Sequence, residues 1–303
     1  MTGFTIKPRG AFSLRESVEF GFGQRHPEKY DGAMRLAFCV DGYHEQVGVV
    51  LRQDEAGVHA EVAGVADPAS VRRQVARILS LDHDGTAYEQ IGERDPVIGR
   101  LQRLRPGLRP PLFHSPYEAA VWAIISTRRP AAVAAALRER LSRAHGRVFD
   151  LGGVELAALP TPDQLLAVDS LPGLPDDRLA RLHVVAESAR SGELSADLLV
   201  SMGPELALES VRRLPGIGPF YAALIVIRAS GFVDVLPDQE PMLLALVQRL
   251  YGLDGPATPT EFAQIADSWR PMRTWAAVLV RAAGADLLAE RSTNSGCLPP
   301  TVI

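Results

Sequence analysis

Lysine is nearly missing from this chain: Lys7 and Lys29 are the only two among 303 residues. The basic residues are otherwise arginines, so amine nucleophiles are scarce. Cysteine is as rare, with Cys39 and Cys297 far apart and no CxxC pair. That excludes a disulfide framework, a structural zinc site and an iron–sulfur cluster, and a reduced, cytoplasmic location is the default expectation. Long apolar runs are missing too. Tyr221–Ile227 and Trp275–Val280 are too short to span a bilayer, and each ends at an arginine. The N-terminal stretch has no apolar core of the signal-peptide kind. The seven histidines show no HxH or HExxH spacing, so no catalytic metal is expected. No Walker or dinucleotide-binding glycine motif is present, so no nucleotide cofactor is expected either. The net charge of −4 argues against an overall basic coat, but a local positive face is sufficient for binding a polyanion.

What is present suggests two domains, the usual expectation at this length. Residues 1–108 read as mixed α/β. Met34–Val40 and Tyr43–Leu51 are β-prone runs around an Asp41-Gly42 turn. Val58–Val62 is a third candidate strand, and Asp67-Pro68 opens a helix with Val71, Val75, Ile78 and Leu79 on one face. Pro106 to Pro111 reads as a linker. Residues 109–290 read as helical. Capping-box patterns with proline at the first helical position recur at Ser115–Glu118, Thr161–Gln164 and Thr258–Glu261. Further helices are expected at Ala131–Ala144, Asp176–Ser191, Pro204–Arg212, Pro219–Ser230, Gln239–Tyr251 and Trp275–Ala283. Residues 291–303 read as a disordered tail.

The most informative segment is Leu214-Pro215-Gly216-Ile217-Gly218-Pro219-Phe220-Tyr221, lying between two expected helices. Two glycines one residue apart permit a tight turn and a close backbone approach. Unpaired N–H groups at the start of the following helix suit a phosphate. Ile217 would plug the turn into the core. An ordinary glycine turn fits LPGIG alone equally well. Further on comes Asp234-Val235-Leu236-Pro237-Asp238-Gln239-Glu240-Pro241-Met242-Leu243. A hairpin followed by a proline-rich loop and a carboxylate at a helix start resembles the helix-hairpin-helix DNA glycosylases. Tyr117-Glu118-Ala119, Trp122–Ser126 and Trp269-Arg270-Pro271-Met272-Arg273 are similar to segments of the 3-methyladenine DNA glycosylase II branch.

The resemblance implies an α+β protein: a small N-terminal α/β domain of TATA-box-protein type, then an all-helical helix-hairpin-helix domain. It implies a monomeric, monofunctional base-excision enzyme that removes alkylated purines from double-stranded DNA. In such a reaction a fixed anion stabilises the oxocarbenium-like sugar and orients water. The family aspartate precedes apolar helix positions by three and six residues. Glu240 fits through Leu243 and Leu246, whereas Gln239 would select Met242 and Ala245. Glu240 is therefore the candidate carboxylate, a departure from the family's Asp. Asp238 is the fallback, and also reads as the helix N-cap. Glu240 equally reads as a first-turn acid complementing the helix dipole.

Bifunctional relatives carry a lysine where Phe220 stands, which implies no lyase chemistry. Phe220, Tyr221, Met272 and Trp275 are the candidate base-pocket residues, with core packing the alternative for the aromatics. In the Ser126-Thr127-Arg128-Arg129-Pro130 turn, Arg128 is the candidate wedge, with Arg129 or Thr127 on phosphate. Arg270 and Arg273 are further candidates for phosphate contact. A monovalent cation on the hairpin carbonyls is implied by the resemblance alone. The competing reading is a non-catalytic protein that binds damaged or bent DNA.

Overall fold

Strands β1 (Thr2–Ile6), β2 (Met34–Cys39), β3 (Gln46–Asp54) and β4 (Gly57–Ala63) form an antiparallel sheet in the order β1-β4-β3-β2. A computed structural model describes residues 2–21, 29–238 and 240–295. The Asp41-Gly42 turn forms as the sequence suggests. Gly42 and Tyr43 have positive φ values of 91° and 62°, and the Tyr43 amide donates to Val40 at 2.7 Å. Tyr43 tolerates this conformation because its ring is buried and its hydroxyl donates to the Leu194 carbonyl at 2.6 Å. Strand β1 was not anticipated; its burial pattern lacks clean alternation.

The described residues fall into two compact units, each drawn from three stretches of the numbering: up to 9, 17–83 and 111–232 in unit one; 10–16, 84–110 and from 233 onward in unit two. This partition differs from the sequence division at 108 and 109. The expected linker is irregular, but Leu108 to Pro111 is buried rather than solvated.

Unit one holds the sheet and most of the expected helices. The second segment is not wholly helical, contrary to expectation. Val148–Asp150 pairs antiparallel with Glu155–Ala157, and Phe149 and Leu151 pack with Ala37 and Val50 of the sheet. Gly152-Gly153, both at positive φ, turn this small hairpin. The apolar core gathers Pro116–Ser126, Ala131–His145, Asp176–Arg190, Pro204–Val211 and Pro219–Ser230 around Tyr117, Ile124, Leu182, Val211 and Ile225.

Two capping boxes are complete, at Thr161/Gln164 and Thr258/Glu261. The third is only half made. Ser115 accepts from the Glu118 amide at 3.2 Å, but the Glu118 carboxylate turns inward. It accepts from the Cys39 amide at 3.1 Å, from His114 Nδ1 at 3.0 Å and from Arg138 Nη2 at 3.2 Å. A buried acid with three donors within reach is stabler there than at a solvated cap.

Unit two is organised by another carboxylate. Asp95 caps Pro96–Leu104 by accepting from Val97 and Ile98 amides. Its other oxygen accepts from Tyr251 (2.7 Å), Ser268 (3.1 Å) and Trp269 Nε1 (3.0 Å). Helix Arg273–Ser295 is longer than expected and takes in part of the expected disordered tail. Residues 296–303 lie outside the described residues. Among the described residues, no helix is long and apolar enough to cross a membrane.

Burial disfavours the Glu118 anion, but the His114 charge and hydrogen bond, Arg138 and the Cys39 amide outweigh it and hold the carboxyl below its ordinary value of 4.5. Its stabilising contribution is thus complete above pH 4.5 and lost as pH falls through the lower folded value. Glu118→Gln is expected to cost about 3 kcal/mol at neutral pH. In urea titrations the difference from the parent should shrink as pH drops below 4.5.

Candidate functional site

The hairpin of unit one is built by a glycine that must be glycine and one that need not be. Gly216 has φ +87°, and a Cβ there would meet Arg181 at 3.1 Å and Ile124 at 3.2 Å. Its absence of side chain is demanded by the protein itself. Gly218 has φ −85°, open to any residue, and a Cβ would meet nothing within 4 Å. The protein's own packing gives no reason for that glycine, and the space beside it is open. Ile217 is 6% exposed and packs into the core, and its amide closes the turn on the Leu214 carbonyl at 3.1 Å.

Gly218 is the N-cap of helix Pro219–Ser230 and supplies no side-chain cap. Among the described residues the amides of Gly216, Gly218, Phe220 and Tyr221 donate to no backbone carbonyl. They sit at the positive end of a twelve-residue helix, where an anion is favoured. Phe220 is 63% exposed and lies edge-on to Tyr221 at 5.3 Å. The Tyr221 hydroxyl is 3.1 Å from that of Ser126.

The neighbouring turn singles out Arg128. Thr127 spends its hydroxyl on the Ala123 carbonyl at 2.6 Å. Arg129 donates to Ile125 and Gly173 carbonyls. Arg128 is exposed, at φ +54°, and makes no hydrogen bond among the described residues. Two arginines escaped the sequence reading. Arg178 donates to the Ile124 carbonyl at 2.9 Å, and Arg181, paired with Asp177 at 3.2 Å, lies beside Gly216. Burial, then the charge of Arg129 with a lesser push from Arg181, lowers the Arg178 guanidinium below its ordinary value, against Asp177. Arg129, Arg178 and Arg181 thus act on one another near the hairpin, with Asp177 balancing part of their charge.

The carboxylate belongs to unit two. Its loop is fastened to the start of helix Arg273–Ser295. Thr274 bonds Val233 and Val235 through its amide and hydroxyl. Arg273 grips Asp234 through its amide and guanidinium, with Nε at 2.9 Å. Arg270 adds a bond to Asp234 at 3.1 Å. These two arginines, candidates for phosphate contact by sequence, are therefore engaged by a carboxylate. Glu240, not Asp238, is the N-cap residue of Pro241–Tyr251, and its side chain makes no capping bond. Instead its Oε1 forms an ion pair with Arg281, 2.7 Å from Nε. Asp238 sits in the turn before it, with its amide on the Leu236 carbonyl. Gln239 lies outside the described residues. Leu243 is buried whereas Met242 is 60% exposed, the helical phase assumed in choosing Glu240. Met272 is 6% exposed. Trp275 is buried in unit two, edge-on to Tyr88 at 5.3 Å and 5.5 Å from the Arg109 guanidinium. Among the described residues no three His, Cys, Asp or Glu side chains are grouped to hold a metal.

No protein-family model matches the chain. It is 32% identical over 185 residues to DNA-3-methyladenine glycosylase 2 of Escherichia coli K12, an alignment covering 59% of this chain and 62% of that protein. The 3-methyladenine DNA glycosylase from Archaeoglobus fulgidus superposes with a TM-score of 0.73 at 22% identity, covering 95% of this chain and 99% of that one. This chain is thus 3-methyladenine DNA glycosylase II-like in sequence, and it shares the fold of the Archaeoglobus fulgidus enzyme. An 8-oxoguanine glycosylase/lyase of Clostridium acetobutylicum, solved with double-stranded DNA, shares the fold at a TM-score of 0.59 and 16% identity, covering 97% of this chain and 100% of that one. The alignment spans less than two thirds of the E. coli protein. The glycosylase II-like fold thus hosts more than one named base specificity, and the fold alone does not choose between them.

The two hairpin glycines of this glycosylase II-like chain should respond oppositely to substitution. Gly218→Ser is expected to leave stability within about 0.5 kcal/mol of the parent, because serine is an equally good N-cap. It should weaken duplex DNA binding, since its hydroxyl takes up an amide and fills the open space. Gly216→Val should cost at least about 2 kcal/mol through strain at positive φ. Denaturant titration and DNA-binding isotherms on both variants check this.

Proposed function

We propose that the chain hydrolyses the N-glycosidic bond of alkylated purines of the 3-methyladenine type in double-stranded DNA, as a monofunctional glycosylase. The observation that carries the reading is the uncapped start of helix Pro219–Ser230. There, free amides and a glycine with open space beside it suit a close-approaching phosphate. In this reading Gly216, Ile217 and Gly218 hold the backbone of the lesion strand, and Arg178 and Arg181 add charge beside them. Arg128 fills the gap left by the everted nucleotide. Its unusual backbone conformation is the kind of local strain found where a side chain is held out for use. Phe220, exposed as few aromatics are, offers a face for an electron-poor alkylated base.

Glu240 supplies the anion. As positive charge builds on the deoxyribose, the carboxylate stabilises it and directs water to the sugar carbon. The base leaves and an abasic site remains. Strand cleavage through a Schiff base requires an amine, and Phe220 stands where bifunctional relatives carry lysine; the chain's lysines are Lys7 and Lys29. The protein would act as a monomer in the cytoplasm, using no nucleotide. A monovalent cation suits the hairpin, where the carbonyls of Pro215, Gly216 and Ile217 accept no backbone hydrogen bond among the described residues. Such an ion would supply positive charge toward a phosphate.

A second reading, a binder of damaged DNA that does not cut the glycosidic bond, is favoured by the ion pair that Glu240 makes with Arg281. Incubation with methylated duplex DNA separates the two. The parent is expected to release free methylated base and leave alkali-labile sites without nicking the strand. Glu240→Gln is expected to lose at least about 100-fold in release while binding DNA as before. Binding by both with release by neither would establish the second reading.

A further inference from the structure

Asp234 and Glu240 are fixed to one helix at two points. At the first, Asp234 is gripped by Arg273. At the second, Glu240 meets Arg281, about two turns further along helix Arg273–Ser295. The two side chains of the second pair are 33% and 27% exposed, so the contact is only partly screened by water. Arg281 Nε lies 2.7 Å from one carboxylate oxygen, Oε1, an ion pair at contact distance. No other ion pair or hydrogen bond engages that carboxylate among the described residues, and it does not cap its own helix.

Glutamate carries one more methylene and one more free torsion than aspartate. A carboxylate on such a stem wanders unless something holds its tip. A guanidinium can hold it, being planar, permanently charged and directional, which an ammonium is not. The pair has an opposing effect as well, because a cation beside the anion weakens the field that the anion exerts on a developing positive charge. Arg281 therefore exchanges field strength for placement. Misplacement of a reacting group by about 1 Å can cost about 100-fold in rate, so placement should win.

We propose that Arg281 is a positioning residue that tethers Oε1 of Glu240 and leaves Oε2 for the sugar, in compensation for the longer side chain at this position. The inference rests on the reading of Glu240 as the reaction's carboxylate.

The test is single-turnover release of methylated base, with DNA affinity measured in parallel, for the parent, R281M, R281K, E240Q and R281M/E240Q. R281M is expected to be about 100-fold slower with DNA affinity within about twofold of the parent, because the tether acts on placement and not on binding. R281K should fall between R281M and the parent, at least about tenfold slower than the latter, because charge is kept and direction lost. The double variant should be no slower than E240Q alone, since both changes act through one carboxylate. Thermal unfolding of each variant verifies that it is folded; should R281M fail to fold, R281K carries the test. R281M at parental rate, or faster than the parent, overturns the proposal, the latter by showing that Arg281 restrains the carboxylate. So does a loss of DNA affinity with the rate retained, which would make Arg281 a DNA contact. E240Q releasing base at the parental rate, or a parent releasing none, removes the reading of Glu240 together with the tether. E240Q inactive with R281M unaffected removes the tether alone.

Discussion

A helix that starts without a cap carries unsatisfied amides, and the functional reading of this chain depends on where those amides find a partner. Helix Pro219–Ser230 begins at a glycine that offers no oxygen. The Thr161 and Thr258 helices show that the same sequence builds complete caps elsewhere. Leaving amides exposed has an energetic cost that water only partly offsets. An anion supplied from outside satisfies them better than water, and arginines gathered nearby favour the same charge. Ile217, packed in the core, anchors the turn.

Three of the carboxylates described above fasten the chain to itself. Glu118 and Asp95 are buried and surrounded by donors; each fastens segments distant in sequence. Asp234 fastens a loop. Glu240 stands apart because only one of its oxygens is engaged and its side chain reaches neither core nor cap. A carboxylate with a lone pair the protein leaves unused can still accept from, or act on, a partner from outside.

Much of this was legible in the sequence where the determinants are local. The Gly-x-Gly turn, the Asp41-Gly42 hairpin and two of three capping boxes each depend on residues within a few positions of one another. Ser115–Glu118 has the same local grammar, yet Glu118 is drawn away by Cys39, His114 and Arg138, which no local pattern foretells. The same limit hid Arg178 and Arg181 beside the hairpin, and Arg281 beside Glu240. It also hid the pairing of Arg270 and Arg273 with Asp234. The short pairing of Val148–Asp150 with Glu155–Ala157 was missed because three-residue strands carry too little alternation to register.

Each compact unit is stitched from three separated stretches of chain. Neither is therefore complete until the polypeptide has been made well past its midpoint, since both draw on residues beyond 200. During synthesis the early strands must wait, with apolar surface unburied, for partners that emerge last. Sequence order and the order of structural completion are uncoupled, and no single scission of the backbone would yield two self-sufficient pieces.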